Sequence, residues 1–337
     1  DGPSADDLRE LGRQAKNVDL TPIADAYADA VGKVRDLGVT LTDRRAVKVL
    51  LVHQNYPGQF LHLAPELRRR GHQVLVMTDA KNGQTAEGHI ARYRHDAPPV
   101  DPAQTRLGRK YTTMSDRGVT VARAALTLKQ RDGYVPDVIL GHSGWGETLF
   151  LKEVWPTAKL VVYAEFYYRG SGADVGFDPE FGTTGFDQTM IAQGRAAHLA
   201  HAIVHADLAV SPTQWQASTH PEALRARIRI VHDGVDTDAV KPDAAAFVDL
   251  PAGRRIYAGD EVLTFVNRNL EPYRGYHILM RALPAILVAR PDAQVVIVGG
   301  DGVSYGAAPK DAAGWKDVFL DEVRGQIIAG IGSGVED

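Results

Sequence analysis

The chain of 337 residues is 44% hydrophobic and 24% charged, with a formal net charge of -4. That length calls for two domains with real cores, and the slight acidity argues against a broad nucleic-acid footprint. There is no Cys, which excludes disulfides, thiolate zinc sites and a cysteine nucleophile and fits a reducing, cytoplasmic setting.

No run approaches the ~18 apolar residues of a membrane span, which leaves peripheral contact as the only membrane role. The chain opens on Asp1 rather than Met, with no signal-peptide pattern, so a processed product or fragment is expected. Residues 1–46 read as an amphipathic helical extension: Ile23, Ala26, Tyr27, Ala30, Val31 and Val34 recur at helical spacing. Thr21-Pro22 resembles an N-cap followed by proline at the first helical position.

From Val47 the texture becomes α/β. Val47–His53 is a short apolar strand of the buried parallel kind. A turn at Gln54–Gln59 leads into a helix carrying Phe60, Leu63, Ala64 and Leu67, which Arg68-Arg69-Arg70 and Gly71 close. Gln73–Met77 is the next strand, completing a βαβ unit and implying a doubly wound parallel sheet. Further strands are expected at 137–140, 159–164, 207–210 and 228–231, with a long helix at 185–204. The strands end at Gln54, His142, Glu165, Ser211 and Asp233-Gly234. In open α/β sheets that edge holds the ligand crevice.

Residues 241–260, with Pro242, Pro251 and Gly253, read as a linker between a first domain at 47–240 and a second at 261–337. The second opens with a buried-strand pattern from Leu263 into Arg268. A helix at 276–290 follows, with Leu279, Ala282, Leu283 and Ile286 inward. A strand at 294–298 ends in Gly299-Gly300-Asp301-Gly302, and one more helix is expected at 315–328. Such a domain is short against the usual ~100–150 residues, so it is expected to be truncated.

Arg268 and Arg274-Gly275 place two guanidinium groups at a strand end and a helix start. Arginine forks match phosphate oxygens, and helix N-termini offer free N–H groups. The competing account is a pair of solvated arginines, which the placement disfavours. Gly300 and Gly302 permit close approach to a ligand, although a plain tight turn explains them equally. Gly58 in Tyr56-Pro57-Gly58 could serve a phosphate or simply the βα turn. His142 at a strand end can orient a hydroxyl or move a proton. Glu165-Phe166-Tyr167-Tyr168-Arg169 suits sugar recognition, and equally a half-buried core edge. The other histidines, His53, His201, His205, His220 and His232, read as structural or surface. No His/Asp/Glu cluster has metal spacing and there is no G-x-S-x-G elbow, so no metal is expected.

With these motifs the sequence resembles the retaining glycosyltransferases of family 4, whose GT-B fold has two facing Rossmann-like domains. More narrowly it is similar to a bacterial subgroup whose first strand runs into His53-Gln-Asn-Tyr-Pro-Gly-Gln-Phe60. Glu165–Arg169, Ser211–Trp215, Val231–Asp236, Arg268 with Arg274-Gly275, and Val298–Gly302 support it, over residues 47–324. The resemblance implies a UDP-, GDP- or ADP-linked sugar as co-substrate, no separate cofactor, and a glycan, lipid or small-molecule acceptor. Arg268, Arg274, Gly275, Gly300 and Gly302 would hold the diphosphate, and Gly58 its distal phosphate. His142 would lie at the donor sugar; Asn55, Tyr56, Glu165, Tyr168 and Arg169 would contact the sugar or acceptor.

Two departures stand out. Arg274 occupies a position usually held by Lys, which keeps the charge and adds a planar fork. The family's Glu-x7-Glu motif is missing, since no two Glu stand eight apart in this chain. From that follows the reading of a non-catalytic fragment or binding protein, which turnover would exclude; a third reading keeps the fold but changes the reaction, to a sugar phosphorylase or nucleotide-sugar epimerase.

Overall fold

The structure, a computed structural model, describes residues 46–83, 89–99, 105–182, 185–250 and 253–331. The expected helical extension therefore lies outside the described residues, Ala46 excepted. The chain divides into two compact units. The first runs to Val240, and the second comprises Lys241 onward together with the segment Phe177–Thr183.

In the first unit the elements are β1 (Lys48–Val52), α1 (Leu63–Arg69), β2 (Gln73–Asp79), β3 (His89–Tyr93), α2 (Arg106–Asp132) and β4 (Val138–His142). They continue with α3 (Leu151–Val154), β5 (Lys159–Tyr163), α4 (Phe186–His205), β6 (Leu208–Ser211), α5 (Gln214–Ser218), α6 (Glu222–Arg225) and β7 (Ile228–Ile230). The seven strands form one sheet in the order β3-β2-β1-β4-β5-β6-β7, every pair parallel. This is a Rossmann-like doubly wound sheet. The order reverses between β1 and β4, which fixes where the strand ends diverge and a crevice opens.

The sheet is central because its strands are apolar on both faces: Val49, Leu50, Leu51 and Val52 of β1 are all fully buried. One face is packed by Val121, Ala125, Leu199 and Ile203 from α2 and α4. The other is packed by Phe60, Ala64 and Leu67. Gly71, at φ 87°, stops α1, and its N–H donates to the Arg68 carbonyl at 2.9 Å.

Helix α2 and strand β3 are absent from the sequence-level reading. The helix carries Gly108, Gly118 and four threonines, which lower local propensity. Its threonines solve their hydroxyl problem internally, each bonding to the carbonyl four residues back, as Thr112 to Gly108 and Thr120 to Asp116. Thr105 caps its start, Gly133 at φ 61° ends it, and buried Met114, Val121 and Ala125 face the core.

The second unit contains β8 (Phe247–Asp249), β9 (Arg255–Tyr257), β10 (Val262–Asn269), α7 (Tyr276–Ala289), β11 (Gln294–Gly300) and α8 (Trp315–Ile331). The expected linker at 241–260 is corrected: β8 and β9 form an antiparallel hairpin within it. Strands β10 and β11 pair in parallel. Their inner face, Leu263, Phe265, Val295 and Ile297, packs on α7 and α8.

The inner face of α7 is also corrected. Tyr276, His277, Met280, Leu283 and Leu287 are buried, so the inward stripe is rotated from the one centred on Ala282 and Ile286. Strand β10 is not buried on both sides either, because Val266 is 67% exposed and Val298 of β11 is 51% exposed. Segment Phe177–Thr183 belongs here rather than to the first domain. Phe181 sits edge-on to Trp315 and Phe319, and Glu180 pairs with Arg281 at 2.6 Å. Among the described residues no helix is long and apolar enough to cross a membrane.

Candidate functional site

The first unit gathers polar groups where β1 and β4 part. Strand β4 extends two residues beyond its expected end, making His142 its last residue instead of a loop residue. His53 follows β1 directly, and because β1 and β4 are neighbours the two rings lie 5.9 Å apart, edge to face. Both side chains are buried.

The hydrogen bonds assign the protons. His142 Nδ1 accepts the Gly144 N–H at 2.8 Å, so Nε2 is the donor and points to Glu165 Oε2 at 3.1 Å. His53 Nδ1 likewise accepts from the Asn55 N–H at 3.0 Å. Burial, reinforced by His142, pushes the His53 pKa down to about 4. Beside them Tyr163 donates to both Asp233 carboxylate oxygens, at 3.0 and 2.9 Å. Partial burial raises the Asp233 pKa against that bond.

Gly58 has a local explanation. Its φ is +47°, and a β-carbon there would stand 2.7 Å from the His53 ring. The glycine is required by the histidine, whatever else approaches it. Tyr56, expected to contact sugar or acceptor, has its ring buried in the core cluster that also holds Phe60. Arg169 is committed elsewhere: its Nε donates to the Thr219 carbonyl at 2.7 Å and its Nη2 to that of Ser218, at the end of α5. Tyr168 packs on Phe166 with ring centroids 5.7 Å apart, and Asn55 is exposed. Of the expected acceptor residues, Glu165 is the one joined to His142. Its side chain is 44% exposed.

Under the same edge lies Glu147, fully buried on the loop after β4. Its Oε1 accepts from the Tyr93 hydroxyl, while its Oε2 has no partner. Burial raises its pKa to about 7.

The second unit builds its site on Glu271, which sequence reasoning missed. Its side chain is wholly buried, although it sits in a loop between charged and aromatic neighbours. Oε2 accepts the Ser304 N–H at 2.6 Å and the Tyr305 N–H at 3.3 Å, tying the loop after β11 to the loop after β10. Oε1 lies 3.7 Å from Arg274 Nε. The Arg274 guanidinium also lies over the Tyr305 ring, 5.2 Å from its centroid. One buried carboxylate thus fixes the loop and lies within ion-pair range of the arginine, with neither Oε1 nor Arg274 Nε hydrogen-bonded among the described residues.

Arg274 ends a single 3-10 turn, and Gly275 at φ 76° starts α7. The helix has no side-chain N-cap, and nothing lies within 4 Å of where a Gly275 β-carbon would be. The Tyr276 and Ile278 N–H groups already donate to the Glu271 and Gly275 carbonyls, so what this helix start offers an anion is chiefly its positive dipole. Arg268 is exposed near the end of β10, on the strand face opposite the core. Gly300 and Gly302 are explained by Asn269, whose side chain would lie 2.9 and 3.2 Å from their β-carbons. Among the described residues no group of three His, Asp or Glu could hold a metal ion.

Residues 70–240 match the sequence profile of the glycosyl transferase family 4 group. No curated protein matches the chain. Among solved structures it is similar to the catalytic domain of Starch Synthase IV from Arabidopsis thaliana bound to ADP and acarbose. Identity is 16% and the TM-score 0.48, over 83% of this chain and 71% of that one. It is also similar to a putative UDP-N-acetylglucosamine 2-epimerase from Listeria monocytogenes, at 14% identity and TM-score 0.38, over 86% and 67%. A third is the glycosyltransferase SnogD from Streptomyces nogalater, at 19% identity and TM-score 0.36, over 76% and 67%.

Proposed function

Because the chain belongs to the glycosyl transferase family 4 group, we propose that it transfers a sugar from a nucleotide-diphosphate donor to an acceptor. The transfer retains configuration and needs no metal ion. The observation that carries the donor assignment is Arg274, in ion-pair range of the buried Glu271 at the start of α7. Arg274, Arg268 and the positive end of the α7 dipole supply positive charge for the departing diphosphate. Such preorganised donors cost little reorganisation as charge develops. That charge is the support for metal independence.

In the first unit, His142 and Glu165 form a polar pair at the β1/β4 switch point. We assign them to the hydroxyls of the transferred sugar and the acceptor. Glu165 accepts from His142, and its side chain is 44% exposed, within reach of a hydroxyl donor. Retention rests on the motif set running from His53 to Gly302.

The test is transfer from UDP-, GDP- and ADP-sugars by the longest native polypeptide, with the product anomer read by NMR in the presence of a chelator. Arg274→Ala and Arg268→Ala are expected to cut transfer and nucleotide affinity together. Unchanged kinetics in both variants, an inverted product, or loss of activity on chelation would overturn the corresponding part.

A further inference from the structure

One face of α2 and one of α4 bring three cations, Lys110, Arg117 and Arg195, close enough to act on one another. Lys110 and Arg117 are seven residues apart on α2, hence on the same side of that helix. Met114 lies between them and is buried. There the helix backbone meets the turn after β4, where no β-carbon would fit at Gly146 beside the Met114 carbonyl. Arg117 reaches across to Gln54 on the loop after β1, which accepts from its Nη1. Its Nε is buried without a partner. From α4, His198 bonds through Nε2 to the Gly144 carbonyl at 3.0 Å, and Arg195 stands one turn before it.

The three cations therefore converge on the loops bearing Gln54 and Gly144, beside His142. Lys110 is half-buried and makes no hydrogen bond or ion pair among the described residues. Burial and the charges of Arg117 and Arg195 depress its pKa, and among the described residues no acid opposes them. On its inner side Arg117 is felt by Glu147, whose raised pKa leaves that carboxyl largely protonated below neutrality. Clustered, partly buried like charges are unfavourable unless something negative joins them.

We propose that Lys110, Arg117 and Arg195 receive an oxyanion, a phosphate carried by the acceptor, so that the protein glycosylates a phosphorylated acceptor. The proposal rests on reading the first unit as the acceptor side of sugar transfer. Arginine forks and a lysine ammonium are suited to a tetrahedral dianion. The acceptor hydroxyl would then be presented toward His142 and Glu165, which lie on the same strand-end edge.

Calorimetric titration with inorganic phosphate, in the presence of saturating nucleoside diphosphate, tests it. The nucleotide occupies the donor side, so the phosphate signal reports the second site. Lys110→Gln and Arg195→Gln are each expected to weaken phosphate at least tenfold while nucleotide affinity stays unchanged. Arg195 is exposed, so its variant remains informative if the Lys110 variant folds poorly. Arg274→Ala is expected to do the reverse. No phosphate binding by the wild type, or equal binding by Arg195→Gln, overturns the proposal. Loss of nucleotide binding alone would instead count against the donor reading. A soluble phosphomonoester and vesicles of anionic phospholipid, tried as acceptors in turn, separate a small molecule from a lipid headgroup. Turnover with either supports the proposal, and turnover only with uncharged acceptors overturns it.

Discussion

Gly58 and His53 are fitted to one another: a β-carbon on the glycine would lie 2.7 Å from the imidazole, and the glycine φ of +47° is left-handed. Gly58→Ala must therefore push the ring aside and adopt a costly backbone conformation, worth ~1–2 kcal/mol for the backbone alone. His53 is 5.9 Å from His142, so the displacement should reach the strand-end pair. The variant is expected to lose ~2 kcal/mol of stability and to transfer sugar much more slowly. Chemical denaturation and steady-state kinetics check both. A variant of wild-type stability would remove this account of Gly58.

Glu271 should matter more than its position in a loop suggests. Glu271→Ala leaves two backbone N–H groups and the Arg274 guanidinium without their carboxylate. A loss of ~2–3 kcal/mol is expected from the unsatisfied buried donors. Glu271→Gln retains an acceptor oxygen but not the charge. It should fold nearly normally yet bind nucleotide at least about tenfold more weakly, if each charge-assisted contact is worth ~1.5 kcal/mol. Equal nucleotide affinity in the Gln variant would show that Arg274 needs no anionic support.

Acid should destabilise the first unit through its histidines. His53 and His198 have pKa values near 4 against an ordinary 6.5, chiefly because burial disfavours the imidazolium. The unfolded chain takes up those protons near pH 6.5 and the folded chain does not, so stability falls as pH drops from there toward 4. The loss is up to ~3 kcal/mol per histidine. Glu147 works the other way. Its carboxyl titrates at about 7 rather than 4.5, so its favourable contribution is full below 4.5 and disappears as pH rises to 7. Urea midpoints should decline on acidification from about pH 7.5 to 5. Glu147→Gln should gain on the wild type at the upper end and lose that gain at the lower. An effect independent of pH would contradict the raised pKa.

Glu165→Gln separates positioning from charge at the strand-end pair. The amide oxygen can still accept from His142 Nε2, so the hydrogen bond itself is kept. Stability should hardly change, while kcat/KM falls tenfold or more if the carboxylate meets a sugar or acceptor hydroxyl. Melting temperature and kinetics on the same sample decide it. Full activity would assign Glu165 to orienting His142 alone.

The parallel sheet was legible because β1, β4 and β5 are buried on both faces and so are nearly continuous apolar runs. Helix α2 was not, since its glycines and threonines dilute the helical stripe. His142, Glu165 and Asp233 were legible as strand-end residues, because their placement follows from chain order. Glu271 was not, because burial of a loop carboxylate depends on Ser304 and Tyr305 folding back over it. Lys110 and Arg117 were hidden with their helix. The same limit applies to Tyr56, whose loop position gives no sign that its ring turns into the core.

The segment Phe177–Thr183 carries a practical consequence for anyone recombining this protein with its relatives. The chain leaves the first unit, contributes Phe181, Glu180 and Asp178 to the second, and returns before α4 begins. A chimaera joined only near Val240 would therefore inherit a C-terminal half without its own cover for Arg281, His277 and Phe319. Exchange of the second unit would need two grafts, the distal half and this short insert, transplanted as a pair.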